Sequence, residues 1–421
     1  MIRRRKVVLG ALGIAAGLAA AGCGASGGDK KADATWHGTG ADDGGTTTTG
    51  GSADAPAATP VSLTVTPKAG AAKVSPLETI TVAADGGKLD SVTVAAGGSK
   101  VAGEMQSDGV TWKTTGTLAY GKTYKVTASI VDSAGAKVQK TSTFTTLKPD
   151  AIARATFQAN GMSILKAGAT YGVGQPVIVA FNKSVKDKAA AEKAIEVETT
   201  PAVEGKFHWV SSKIVHWRPA KYWEKGTKIS VKVNALGIHF GNGVYGAGNT
   251  STHFAIGRKL VAINDNNTHR TKVYIDGKMV RDMPSSNGKG GYTHLTDGTQ
   301  IHFWTQSGPH VVLSKERTHS MSSASYGLSD PTNPNYYAPE IVEYCTRITY
   351  SGEFLHAAPW NHQLGRANIS HGCVNLGVKD AKWVYENFLV GDVVEVNHTP
   401  KSLPIGDGLG DWNVSYDKYG H

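Results

Sequence analysis

The sequence predicts a mainly β protein, in which small antiparallel sandwiches precede a larger, mixed but mostly β domain. Three observations carry this. Short runs with strand alternation recur at regular spacing: Leu63-Thr64-Val65, Ile80-Thr81-Val82, Val92-Thr93-Val94, Tyr124-Lys125-Val126 and Ser142-Thr143-Phe144. Turn residues such as Asp85-Gly86-Gly87 and Ala134-Gly135 separate them, the rhythm of a sandwich of immunoglobulin type. After Ile256-Gly257 the composition changes, and Asp276-Gly277 between two new strand-like runs is a strong two-residue hairpin signal.

The chain opens on Arg3, Arg4, Arg5 and Lys6, then an apolar run over residues 7–21 that is too short to span a bilayer comfortably. Residues 1–22 are therefore expected to be a signal peptide. The small residues Ala19-Ala20-Ala21-Gly22 before Cys23 resemble a bacterial lipobox, which implies lipidation of Cys23. That places the protein in the cell envelope, anchored on the outer face of the plasma membrane and extending into the wall. An ordinary signal peptide with an incidental cysteine is the alternative, and Arg4-Arg5 also suits twin-arginine export. Residues 23–60 are Gly, Ala, Ser, Thr and Asp in the main. Such a stretch buries too little apolar surface to offset its ordering entropy and reads as a flexible linker.

Net charge is +10, of which four charges sit on Arg3 to Lys6, so the exported part carries about +6. That suits anionic envelope polymers and lipids. No aromatic-interleaved basic run points to nucleic acid. Of the three cysteines, Cys23, Cys345 and Cys373, none suggests a disulfide framework. Cys345 is expected to be a small, partly buried strand residue and Cys373 a free thiol.

The first sandwich, residues 61–148, has no catalytic constellation and reads as a spacer. The second, residues 149–256, holds a strand over 176–181, a short helix over 186–195 and strands around Trp209, Trp217 and Val231. His208 and His216 each neighbour a tryptophan. Alternation puts them on the opposite face, so core tryptophans and solvated histidines are expected; a glycan- or peptide-binding role is the alternative. In residues 257–397 the glycine-rich Ser285 to Gly291 segment lacks phosphate-loop spacing and reads as a turn. Residues 321–339 form a long aperiodic segment, and loops of that length in compact domains are usually functional lids. Residues 378–388 have helical periodicity with Ala381, Val384, Tyr385 and Phe388 on one face.

Chemistry concentrates in Ser370-His371-Gly372-Cys373-Val374-Asn375. A thiol attacks carbonyls as its thiolate and needs a base or a lowered pKa. Gly372 removes a side chain where substrate approaches and offers successive Gly372 and Cys373 N–H groups to an oxyanion. A buried structural cysteine beside a surface histidine is the bland alternative. A second imidazole, His356, lies upstream in Phe354-Leu355-His356-Ala357-Ala358-Pro359-Trp360. The histidine, the spacer and the Ser-His-Gly-Cys-x-Asn run closely resemble the signature of the L,D-transpeptidase catalytic domain, the YkuD type. The likeness extends from about Val61 to the C-terminus and is nearest to the multidomain actinobacterial enzymes.

This resemblance implies two immunoglobulin-like domains before the catalytic one, and a C-terminal extension, residues 398–421, packed back on the preceding domain through Trp412. It implies transpeptidation on peptidoglycan stems, with Cys373 as nucleophile and His356 as base. The second ring nitrogen of His356 would be held by a backbone carbonyl, and Gly372 and Cys373 would form the oxyanion hole. Ser370, His371 and Asn375 would shape the pocket, and Met321 and Tyr326 of the flap would line the donor site. Tyr336 and Tyr337 have no assigned place. Partners would be a donor tetrapeptide, an acceptor amine and, as inhibitors, β-lactams of carbapenem type, with no cofactor or resident metal. Two rivals stay open. The acyl group could pass to water, making an L,D-carboxypeptidase, or His356, His371 and Cys373 could ligate zinc in a non-catalytic wall-binding module.

Overall fold

A computed structural model describes residues 60–295 and 297–420. Cys23, with the expected signal peptide and most of the linker, lies outside the described residues. The fold is mainly β. Strands Ser62–Thr66, Thr81–Asp85, Thr111–Thr114 and Gly103–Met105 form one sheet of the first sandwich, and Ser99–Lys100, Gly87–Ala96, Thr123–Asp132 and Lys137–Thr145 the other. Alternation along Thr123–Asp132 sends Tyr124, Val126, Ala128 and Ile130 inward against Ile80, Val82, Trp112 and Phe144.

In the second sandwich a five-stranded sheet faces a four-stranded one, with Val177–Phe181, Ile214–Pro219 and Lys228–Asn234 supplying much of the core. Its helix is shorter than the sequence suggests, Lys188–Lys193, and begins where Asp187 Oδ1 accepts the Ala190 N–H at 2.9 Å. Trp217 is a core residue as expected, but His216 is not solvated: only 5% of it is exposed. The C-terminal extension covers the far face of its strand. His216 Nδ1 lies 2.9 Å from Asp411 Oδ1, which also accepts the Tyr419 hydroxyl at 2.6 Å. His208 is half-buried, its ring 5.0 Å from that of Tyr419. The Arg218 guanidinium stacks on Trp412 and Tyr419, at 4.7 and 4.2 Å. Trp412 donates through Nε1 to the Gly174 carbonyl at 2.8 Å. Strand alternation could not reveal a partner that arrives from nearly 200 residues away.

The third region is built on one nine-stranded sheet. In spatial order its strands are Gly308–Val311, Val393–Asn397, Leu260–Asp265, Arg270–Ile275, Lys278–Ser286, Val374–Leu376, Phe354–Ala357, Glu340–Arg347 and Ser314–Met321. Asp276 and Gly277, with φ of 50° and 80°, make the turn that the hairpin signal requires. Helix Val378–Asn387 seals one side, with Ala381, Val384 and the following Phe388 packed on Leu260, Val273, Leu355 and Val394. Two short central strands decide the rest. Phe354–Ala357 and Val374–Leu376 run parallel, with His356 opposite Asn375, and Cys373 stands at the entrance to the second.

Candidate active site

The turn before Cys373 is held by side chains on both sides. Ser370 Oγ donates to the Cys373 carbonyl at 2.6 Å and accepts the Gly372 N–H at 3.1 Å. Gly372 has φ of 138°, a conformation that side chains rarely adopt. Its carbonyl accepts Thr305 Oγ1 at 2.7 Å, and Thr305 in turn accepts the Gly288 N–H at 2.9 Å. Asn287 O accepts the Ser370 N–H at 3.0 Å, and Ser370 O accepts the Lys289 N–H at 2.8 Å. The glycine-rich segment is therefore more than a turn. It forms a bridge to Ser370, and a Cβ on Gly288 would collide with the Phe303 carbonyl. The Gly372 N–H, expected to join that of Cys373 in the oxyanion hole, is engaged by Ser370 in this structure.

The Cys373 side chain is half-buried, and its thiol donates to the Gly352 carbonyl at 3.6 Å. His356 is buried, and its Nδ1 donates to the Ala357 carbonyl at 2.8 Å, which fixes the tautomer and leaves Nε2 as the basic nitrogen. Burial pushes the thiol up to about 12, only partly offset by the Phe354 backbone N–H beside the sulfur. Burial likewise pushes His356 down to about 4, against the Ala357 carbonyl and the Asn375 side chain, which favour the charged ring. Both directions favour an uncharged pair at rest.

Cys373, His356, Ser370, His371, Gly372 and Asn375 line one cavity of about 700 Å³, together with Met321 and Tyr326. Met321 ends its strand and packs, with Cys373, on Val342, Cys345 and Phe354. Tyr337 also enters this cavity, where sequence alone left it unplaced; its ring lies 5.1 Å from that of His371 and 6.4 Å from that of Tyr326. Desolvation pushes the Tyr326 hydroxyl up to about 12 and Tyr337 higher. Lys289 ties the 321–339 segment to the Cys373 turn, donating to Asn335 Oδ1 at 2.7 Å and standing 3.4 Å from His371 Nε2. His371, pushed down to about 4 mainly by burial and then by Lys289, is a neutral ring. Neither Lys289 nor Thr305 carries a recognisable signal in the sequence, because their contacts lie with distant partners. Cys345 is fully buried in its strand and pushed up to about 12 by desolvation. Among the described residues no three His, Cys, Asp or Glu side chains are placed to hold a metal, so His356, His371 and Cys373 do not form a zinc ligand set.

The family model of the L,D-transpeptidase catalytic domain matches residues 258–396, and that of a bacterial Ig domain matches residues 71–239, running from the first sandwich into the second. L,D-transpeptidase 2 of Mycobacterium tuberculosis is 38% identical over 321 residues, covering 76% of this chain and 74% of that protein. L,D-transpeptidase 5 of the same species is 34% identical over 364 residues, covering 85% and 76%. A solved structure of the LD transpeptidase LdtMt1 in complex with imipenem covers 57% of this chain and 99% of that one, at 31% identity and a TM-score of 0.47.

Proposed function

Because this chain belongs to the L,D-transpeptidase family, enzymes that act on peptidoglycan, we propose that Cys373 and His356 carry its acyl transfer through a thioester. The observation that supports this most is the shared cavity, which is lined by a half-buried thiol and by an imidazole whose tautomer is fixed by Ala357.

Cys373 Sγ attacks the carbonyl of the third residue of a tetrapeptide stem while His356 Nε2 takes the thiol proton. The carbon–nitrogen bond to the terminal D-alanine breaks, and the imidazolium returns that proton to the leaving amine. A side-chain amine of a second stem then attacks the thioester and loses a proton to His356. The sulfur recovers it as the 3→3 cross-link forms. With the Gly372 N–H held by Ser370, the Cys373 N–H is the donor assigned to the oxyanion. Ser370 and Thr305 keep the turn in place, Asn375 steadies the ring of His356, and His371, Met321, Tyr326 and Tyr337 shape the donor pocket. Carbapenems, as acylating mimics of the donor, would open on the same sulfur. Lipidation at Cys23 would tether the enzyme to the outer face of the membrane, with the sandwiches carrying the catalytic region toward the wall.

Incubation of the purified protein with a disaccharide-tetrapeptide, followed by mass analysis, tests the reaction. Cross-linked dimer with release of D-alanine is the expected product. Tripeptide without dimer would mean that water takes the acyl group, and the enzyme would then be an L,D-carboxypeptidase.

A further inference from the structure

Strands Tyr292–His294 and Gln300–His302 form a two-stranded sheet of their own, with Tyr292 opposite His302 and His294 opposite Gln300. The two faces of this hairpin differ sharply. Thr293 and Leu295 lie toward the lid. Thr293 Oγ1 accepts Asn333 Nδ2 at 3.3 Å, and a Cβ on Gly327 would stand only 2.7 Å from Leu295 Cδ1. The other face carries Tyr292, His294, Gln300 and His302, all exposed, with Tyr292 at 59%. The Tyr292 ring lies 5.4 Å from that of His294 and 6.0 Å from that of His302.

This face is continuous with the proposed catalytic cavity, since Gln300 and His302 also line the cavity. An isolated hairpin is marginal in water, so packing on the lid fixes this one and holds its outer face open. The face joins aromatic surface to hydroxyl, imidazole and amide groups and bears no carboxylate, lysine or arginine. Such a surface offers nothing specific to a phosphate or to an anionic bilayer. It matches a sugar ring, which has an apolar face of C–H groups and an equatorial rim of hydroxyl and acetamido groups.

We propose that the outer face of this hairpin binds N-acetylated sugar rings of the glycan strand whose stem peptide occupies the cavity. Tyr292 stacks on the ring, and His294, Gln300 and His302 bond its rim. This rests on the stem-binding reading of the cavity.

The test compares the full wild-type chain with Tyr292→Ala and Tyr292→Trp on a disaccharide-tetrapeptide and on the same tetrapeptide without sugar. The ratio of kcat/KM for the sugar-bearing to the sugar-free donor should fall about tenfold in Tyr292→Ala, as loss of one stacked aromatic implies. It should stay within about twofold of wild type in Tyr292→Trp. An unchanged ratio, or an equal loss on both donors, would overturn the proposal; equal loss would mean that the hairpin serves the peptide. A second arm needs no turnover. A soluble β-1,4-linked N-acetylglucosamine oligomer should bind the Cys373→Ala chain and bind the Tyr292→Ala/Cys373→Ala chain about tenfold more weakly. Equal or absent binding in both would also overturn the proposal, whereas a wild-type chain that turns over neither donor would contradict the catalytic reading alone.

Discussion

The Cys373→Ala protein is expected to lose all measurable cross-linking while keeping its fold. Its thiol makes one weak hydrogen bond, 3.6 Å to the Gly352 carbonyl, and the turn around it is held by Ser370, Thr305 and main chain rather than by sulfur. Removing one half-buried atom should cost about 1 kcal/mol of stability, within the usual range for point substitutions. Near-ultraviolet dichroism and a denaturant midpoint close to wild type would accompany the loss of turnover. Cys345 cannot stand in, being fully buried with its Sγ on the Val342 carbonyl at 3.6 Å. A variant that keeps most of its turnover would end the assignment of the nucleophile.

His356→Ala should slow acylation by about a hundred- to ten-thousand-fold, the usual worth of general acid–base help. The pH dependence gives this loss its signature. His356 is lowered to about 4, so its neutral, proton-accepting form persists above that value and disappears as pH falls through it. Wild-type acylation should therefore hold down to about pH 4 and drop below it. With the thiol pushed up to about 12, the alanine variant should have no such acid limb, and its slow residual reaction should climb with pH as thiolate forms. A wild-type alkylation rate that reaches a plateau near neutral pH would instead indicate a preformed ion pair. If His371→Ala proved the more damaging change, the two histidines would have to exchange roles, although Lys289 at 3.4 Å from His371 Nε2 argues against that ring as the base.

What could be read from the sequence follows from how local each signal is. Strand alternation, the Asp276-Gly277 turn and the helix beginning at Val378 are encoded within a few residues of themselves, and these appear in the fold. The Ser370 to Asn375 run and His356 are short-range patterns too, and the parallel pairing of two short strands brings them into one cavity. Most of the misjudged features depend on distant partners. His216 looked solvated because its partner Asp411 comes from the C-terminal extension. The Gly372 N–H is a local case: its partner, the Ser370 hydroxyl, is two residues away, but the direction in which that hydroxyl turns is not written in the sequence. Gly288 looked like part of an ordinary turn because its packing against the Phe303 carbonyl exists only in three dimensions. Tyr337 could not be placed until the lid had a shape.

The most direct test of the central claim is to locate the acyl group. Wild-type protein would be treated with a carbapenem, its intact mass measured, and the adduct mapped by peptide sequencing. One adduct per chain on Cys373 is expected, absent from Cys373→Ala and formed far more slowly in His356→Ala. An unmodified wild-type chain, or an adduct carried by Cys345, would contradict the thioester mechanism.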